Sequence, residues 1–363
     1  MSPLTRFCAR VPAVDGEAAM ETQQRFDNKT KPAGSLGRLE ALAVRYAAIR
    51  GDAQPPPPEC AIVVLAADHG VASEGVSAYP QVVTRQMVDN FASGGAAVNV
   101  LARCARARLV VADFGTCSER VPASVLDRRI RRGTGNFLEG RAMTRGEAEA
   151  SMFAGAAITH DLANAGVGLV ALGEMGIGNS TAASALTAAL TGASVTEVTG
   201  RGTGLDESRL RHKHRVVQRA LERHRPALRG PFDILARLGG FEIAGLVGVA
   251  LGAAERRMGV VLDGFISTSA GLLATRLCPN VGDYLFAAHR SPEPGHQILL
   301  QALALQPILD LGMRLGEGSG AALALPVIEA AVRLLGEMAT FDSARVARGS
   351  DGAAGASPEP SSP

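Results

Sequence analysis

Short apolar runs, nearly unbroken and partly β-branched, recur along the chain at residues 60–67, 109–112, 167–172, 195–198, 260–262 and 284–288. None alternates apolar with polar positions as a strand wetted on one face would, so each is expected to be a strand buried on both faces of a parallel sheet. The intervening stretches are long enough for crossover helices. The pattern predicts an α/β fold, an open, mainly parallel Rossmann-like sheet with helices on both faces. Residues 17–50 and 318–340 carry helical patterning with no strand between them and are expected to pair. The predicted organisation is a small helical domain from 1–55 and 310–345 around a large α/β domain over 56–309. The proline run within 52–59 reads as a stiff extended linker into the sheet. Gly/Ala/Ser/Pro composition over 349–363 predicts a disordered tail.

The residues that follow the apolar runs are polar or glycine: Asp68-His69-Gly70, Asp113-Phe114-Gly115, Gly173-Glu174, Thr199-Gly200-Arg201-Gly202, Asp263-Gly264 and His289-Arg290-Ser291. Open α/β sheets bind ligands at these carboxyl ends. After the run ending at Leu172 comes Gly173-Glu-Met-Gly-Ile-Gly-Asn-Ser-Thr181, then a helical pattern. A strand, a glycine loop and a helix start aim backbone N–H groups and the helix dipole at an anion. A tight turn with a capped helix accounts for the same residues. The loop misses the nucleoside-triphosphate motif G-x-x-x-x-G-K-[ST] because Asn179 stands at the lysine position, and its glycines lack the G-x-G-x-x-G spacing of dinucleotide sites. A second glycine loop, 200–204, precedes a helix rich in Arg and Lys, most of which reads as a solvated face.

The run Arg314-Leu-Gly-Glu-Gly-Ser-Gly-Ala-Ala322 sets one carboxylate, Glu317, between glycines ahead of a long apolar helix pattern. Glycine on both sides lets a ligand approach Glu317, which suits a general base. Alternatively Glu317 only complements the helix dipole, with Ser319 as the cap.

Composition narrows the classes. The 363 residues are 47% hydrophobic and 20% charged, enough to bury a large core. With 37 basic against 35 acidic residues, no overall field draws the chain to nucleic acid or membrane, and 4% aromatics with no Trp disfavour base stacking. Five cysteines without C-x-x-C spacing do not read as a disulfide or zinc framework. No secretory leader and no run long enough to span a bilayer is apparent, and the cytoplasm is expected. Asp68 and His69 read as loop braces under a pocket rather than metal ligands, since no second histidine stands at ligand spacing.

Taken in order, the motifs resemble the nicotinate-nucleotide:dimethylbenzimidazole phosphoribosyltransferase family of cobalamin synthesis. The resemblance rests on Lys31-Pro-Ala-Gly-Ser-Leu-Gly-Arg-Leu-Glu40, Ala67-Asp-His-Gly-Val71, the 173–181 loop, Gly239-Gly-Phe-Glu-Ile-Ala-Gly245, Leu262-Asp-Gly-Phe265 and the 314–322 run. It implies transfer of the 5-phosphoribosyl group of nicotinate mononucleotide to 5,6-dimethylbenzimidazole without cofactor or metal, in a homodimer. Glu317 falls on the family's general base and Glu174 on its second active-site glutamate. Gly176, Gly178, Asn179, Ser180, Thr181, Gly202, Lys213, Ser291 and Arg314 are implied substrate-binding residues. Tyr79, Met87 and Leu315 are expected around the acceptor base, where Tyr79 and Met87 depart from the serine and glutamine that some relatives carry. The same chemistry with another azole or purine acceptor, or a non-catalytic nucleotide sensor, are the competing expectations.

Overall fold

A computed structural model of the chain describes residues 2–202 and 204–347. The tail expected over 349–363 lies outside the described residues, as does Thr203 of the second glycine loop. One seven-stranded sheet organises the fold: β1 (Glu59–Ala67), β2 (Arg108–Gly115), β3 (Leu126–Asp127), β4 (Val167–Met175), β5 (Gly259–Leu262), β6 (Leu285–His289) and β7 (Pro307–Leu309), in the spatial order β3-β2-β1-β4-β5-β6-β7. Every pairing is parallel. The central strands are almost wholly buried, which is why their sequences run apolar without alternation. The chain builds outward from β1 in one direction, then returns to β4 and builds in the other. That reversal opens a crevice at the carboxyl ends of the strands.

Residues 195–198, expected as a strand, form a helical turn instead. Glu197 accepts from the Ser194 backbone N–H (2.9 Å) and from the Ser194 hydroxyl (2.6 Å), a capping arrangement that favours a helix start. β4 also pairs directly with β5, leaving no slot between them. The two strands missed in the sequence, β3 and β7, are edge strands of two and three residues, too short for a periodic signal.

The helices Gly16–Asp27 and Arg38–Arg50 pack with Ser319–Glu337, where Phe26, Ala43, Ala331 and Leu335 share a separate apolar cluster. A different set of residues on the last helix, including Ala321, Leu325 and Ile328, joins the main core under the sheet. Among the described residues this helix alone is long and apolar enough to cross a membrane, contrary to the reading of the sequence. More than half of its apolar window is buried, so its composition answers to two packing faces.

Arg145–Asn164 and Phe241–Glu255 meet backbone to backbone. A Cβ on Gly155 would fall on the Gly245 carbonyl oxygen, and one on Gly248 on the Met152 carbonyl oxygen.

Candidate active site

At the carboxyl end of β4, Glu174 lines a cleft formed beside the ends of β4, β5 and β6. The cleft is walled by the glycine loop 174–180, by residues 263–266 after β5, by His289, Ser291 and Glu293 around the end of β6, and by 314–317. Of the residues singled out in the sequence, Glu317, Glu174, Gly176, Asn179, Ser180, Gly202, Ser291, Arg314 and Leu315 line it.

The 314–318 loop owes its shape to three successive left-handed residues, Gly316 (φ 85°), Glu317 (65°) and Gly318 (83°). Glycine adopts this conformation freely, whereas for glutamate it costs about 1–2 kcal/mol. A Cβ on Gly316 would land on the Glu174 carboxylate, so the missing side chain lets the loop close over that group. The helix starts at Ser319 as expected, but Ser319 is not its cap. Its hydroxyl donates back to the Gly316 carbonyl (2.7 Å). The helix amino end is satisfied from the sheet, with the Gly318 and Ala321 N–H groups donating to Asp263 Oδ2 (3.2 Å) and Oδ1 (2.9 Å).

Glu317 is buried, and its Oε2 has no hydrogen-bond partner. Burial raises its pKa above the ordinary carboxylate range and the charge of Asp263 adds to this, against the Val98 backbone N–H. Glu174 is pushed up to about 8, chiefly by burial, then by the negative charges of Asp263 and Glu242. The Asn179 side-chain amide, which donates to it, opposes the rise. The cleft therefore pairs two desolvated carboxylates, and Glu174 holds its proton at neutral pH.

Away from this pair, Ser180 and Lys213 form a basic corner. Lys213 Nζ is fully buried and donates to Ser180 Oγ (2.9 Å) and to the Gly200 carbonyl (3.3 Å). Burial pulls its pKa down to about 8, with Glu293 opposing. Gly202 lies against both groups; a Cβ there would stand 2.9 Å from Ser180 Oγ and 3.3 Å from Lys213 Nζ. Its N–H donates to Glu293 Oε1 (3.0 Å). Gly178 is the left-handed cap of the helix Asn179–Thr191, and Thr181 is buried in that helix's first turn. Neither they nor Lys213 line the cleft directly.

Tyr79 and Met87 do not line it either. Tyr79 is 54% exposed, and Met87 packs partly buried against the main core. The helix Val82–Ser93 nevertheless abuts the glycine loop, since Ile177 N–H donates to Thr84 Oγ1 (3.0 Å). Asp68 and His69 act as braces: Cys117 N–H donates to Asp68 Oδ2 (2.7 Å), and His69 Nε2 lies 2.6 Å from Glu242 Oε1, both side chains fully buried. Among the described residues no group of three or more His, Cys, Asp or Glu side chains is placed to hold a metal ion. Glu293 and the Asp263–His289 neighbourhood were not assigned from sequence. Glu293 and His289 were signalled only by their position beyond the apolar run that became β6, and Asp263 by its place in the Leu262-Asp-Gly-Phe265 motif, which gave it no role.

A parallel sheet with paired buried carboxylates and a lysine–glycine corner at the carboxyl ends of its strands is the frame of a group-transfer enzyme acting on a phosphorylated small molecule. The family model described as phosphoribosyltransferase matches residues 11–346, and the chain belongs to that family. It is 51% identical to the nicotinate-nucleotide–dimethylbenzimidazole phosphoribosyltransferase of Roseiflexus sp. (strain RS-1) over 95% of this chain and 98% of that protein. Its identity to the protein of the same name from Geobacter sp. (strain M21) is 50%, covering 95% and 99%. The crystal structure of CobT from Thermus thermophilus superposes with a TM-score of 0.88 at 48% identity, covering 92% of this chain and all of that one.

Proposed function

We propose that this enzyme transfers the 5-phosphoribosyl group of nicotinate mononucleotide to 5,6-dimethylbenzimidazole, giving α-ribazole 5'-phosphate and nicotinate with inversion. The observation that carries the reading is the pairing of Glu317, buried with a free oxygen, and Glu174 in a cleft that also reaches Ser180 and Gly202. The identities to the named relatives support the choice of substrates.

One acceptor nitrogen attacks the anomeric carbon while the bond to nicotinate breaks, and its electron pair returns to the pyridinium ring. The leaving ring thereby becomes neutral and needs no acid. The proton on the other acceptor nitrogen passes to Glu317, a step worth about 10²- to 10⁴-fold in rate. Glu317 keeps one oxygen without a hydrogen-bond partner, whereas Glu174 accepts from the Asn179 side-chain amide. That free oxygen supports giving the role of base to Glu317. Glu174 ionises as the cationic donor enters, and then favours positive charge developing on the ribose. Lys213, Ser180, Gly202, Gly176, Gly178, Asn179, Thr181, Ser291 and Arg314 are assigned to the phosphoribosyl group, and Leu315 to the acceptor ring. Tyr79 and Met87 are assigned to the rim of that ring through the helix that touches the loop at Thr84.

The same proposal includes a homodimer acting in the cytoplasm with neither nucleic acid nor membrane as partner. The 55%-exposed Leu315 at the cleft edge supports a covering subunit. It also includes a small helical domain from 1–55 and 310–345, supported by the separate Phe26, Ala43, Ala331 and Leu335 cluster.

The test is incubation of purified protein with nicotinate mononucleotide and a panel of benzimidazoles and purines, with products identified by mass. The expected result is α-ribazole 5'-phosphate with release of nicotinate. Absence of ribotide with every base, or a clear preference for a purine, overturns the assignment.

A further inference from the structure

We propose that Asp263 and His289 form a two-sided clamp that fixes Glu317 for proton transfer, acting as positioning residues for the reaction. The inference rests on the assignment of Glu317 as the base.

The two side chains stand at the carboxyl ends of adjacent strands, Asp263 just beyond β5 and His289 at the end of β6, and each is only 2% exposed. Asp263 holds the loop on the far side of Glu317, taking Gly318 N–H on one oxygen and Ala321 N–H on the other. His289 holds the near side: its Nε2 donates to the Met313 carbonyl (3.1 Å), which places the proton on that nitrogen. Its other nitrogen, Nδ1, is 3.8 Å from Asp263 Oδ1, so the two anchors also face each other. The ring seats on Gly320, where a Cβ would collide with Nδ1.

The loop is thus tied to the sheet at 313, 318 and 321, with Glu317 between the ties. Such anchoring answers a need, because a glutamate in the left-handed region persists only where its surroundings over-determine it. An aspartate suits the place. Each of its oxygens accepts one N–H, and its charge complements the amino end of the Ser319–Glu337 helix. Asparagine, of the same size, can accept through only one oxygen and turns a donor toward the second N–H. The strands, not the loop itself, then set where the base stands relative to the acceptor ring.

The experiment is a double-mutant cycle. Asp263→Asn and His289→Ala are each made alone and together with Glu317→Ala, and turnover is measured with nicotinate mononucleotide and dimethylbenzimidazole after circular dichroism confirms folding. Misplacement of a reacting group by an ångström costs up to about 10²-fold, so each single variant is expected to lose at least about tenfold in kcat, with KM for nicotinate mononucleotide within about threefold of wild type. In the Glu317→Ala background the same substitutions are expected to change kcat by less than about twofold, since the group they position is gone. His289→Gln, which keeps an amide donor for the Met313 carbonyl, is expected to recover part of the loss. Should Asp263→Asn not fold, the His289 variants complete the cycle from the other anchor. The clamp is overturned if the folded single variants turn over at near wild-type rate, or if they lose as much without Glu317 as with it. Near-normal turnover of Glu317→Ala by itself overturns the base assignment instead, and the cycle records the two failures separately.

Discussion

Replacing Glu317 by alanine and by glycine separates what this residue does from the conformation in which it is held. Both variants remove the buried carboxylate whose Oε2 has no partner, so both are expected to lose about 10²- to 10⁴-fold in kcat with the fold retained. Their stabilities should differ. At φ 65° alanine keeps the left-handed penalty of about 1–2 kcal/mol, while glycine does not. Glycine's looser unfolded chain takes back about 0.4–1 kcal/mol of that advantage. The glycine variant is therefore expected to be the more stable by roughly 0.5–1 kcal/mol. Urea unfolding followed by circular dichroism reads the difference as a displaced midpoint at constant slope, and product formation reads the activity. An alanine variant as stable as the glycine variant, at equal slopes, would show that the loop imposes no strain on position 317. Near-wild-type turnover in either would remove the residue from the chemistry.

Substrate binding should move protons in a pH-dependent direction. Glu174 and Lys213 are both held near 8 in the free protein, the carboxyl raised and the ammonium lowered by burial. A pyridinium beside Glu174 drives off its proton and a phosphate beside Lys213 recruits one, so nicotinate mononucleotide is expected to release protons at about pH 7 and take them up at about pH 9. Calorimetry in buffers of different ionisation enthalpy measures the sign, and net uptake at the lower pH would refute the pairing. Glu174 also makes a stability statement: its folded pKa near 8 exceeds the ordinary 4.5, so the folded chain holds a proton that the unfolded chain releases. That contribution is complete below about pH 4.5 and lost as pH rises toward 8. Glu174→Gln should accordingly show a shallower decline of the urea midpoint across this window. Equal declines in the two proteins would sink the argument.

The core of this architecture was legible because buried parallel strands leave a simple trace. Residues 60–67 and 167–172 are apolar at every position because both faces of β1 and β4 are covered. The same rule misled at 195–198, where Val195 and Val198 are buried but the Ser194–Glu197 cap outweighs their β-branching. The paired glutamates could be placed from their glycine-rich surroundings and the resemblance. Asp263 and His289 could not be assigned a partner, because both act on a loop 24 or more residues later in the chain. No local pattern encodes contacts made through neighbouring strand ends. Tyr79 and Met87 illustrate the converse: a position inherited from motif order does not say whether a side chain reaches the cleft of a single chain.

The seam between Arg145–Asn164 and Phe241–Glu255 bears on why a chain with 42 glycines can be orderly. Where main chains touch at Gly155 and Gly248, dispersion contact is made by atoms that have no rotamers to freeze, so cohesion is gained with little loss of side-chain freedom. The same economy makes the seam brittle toward sequence drift. An added methyl at either position has no cavity to enter and must pry two whole helices apart, one of which carries Glu242 in its first turn, against His69.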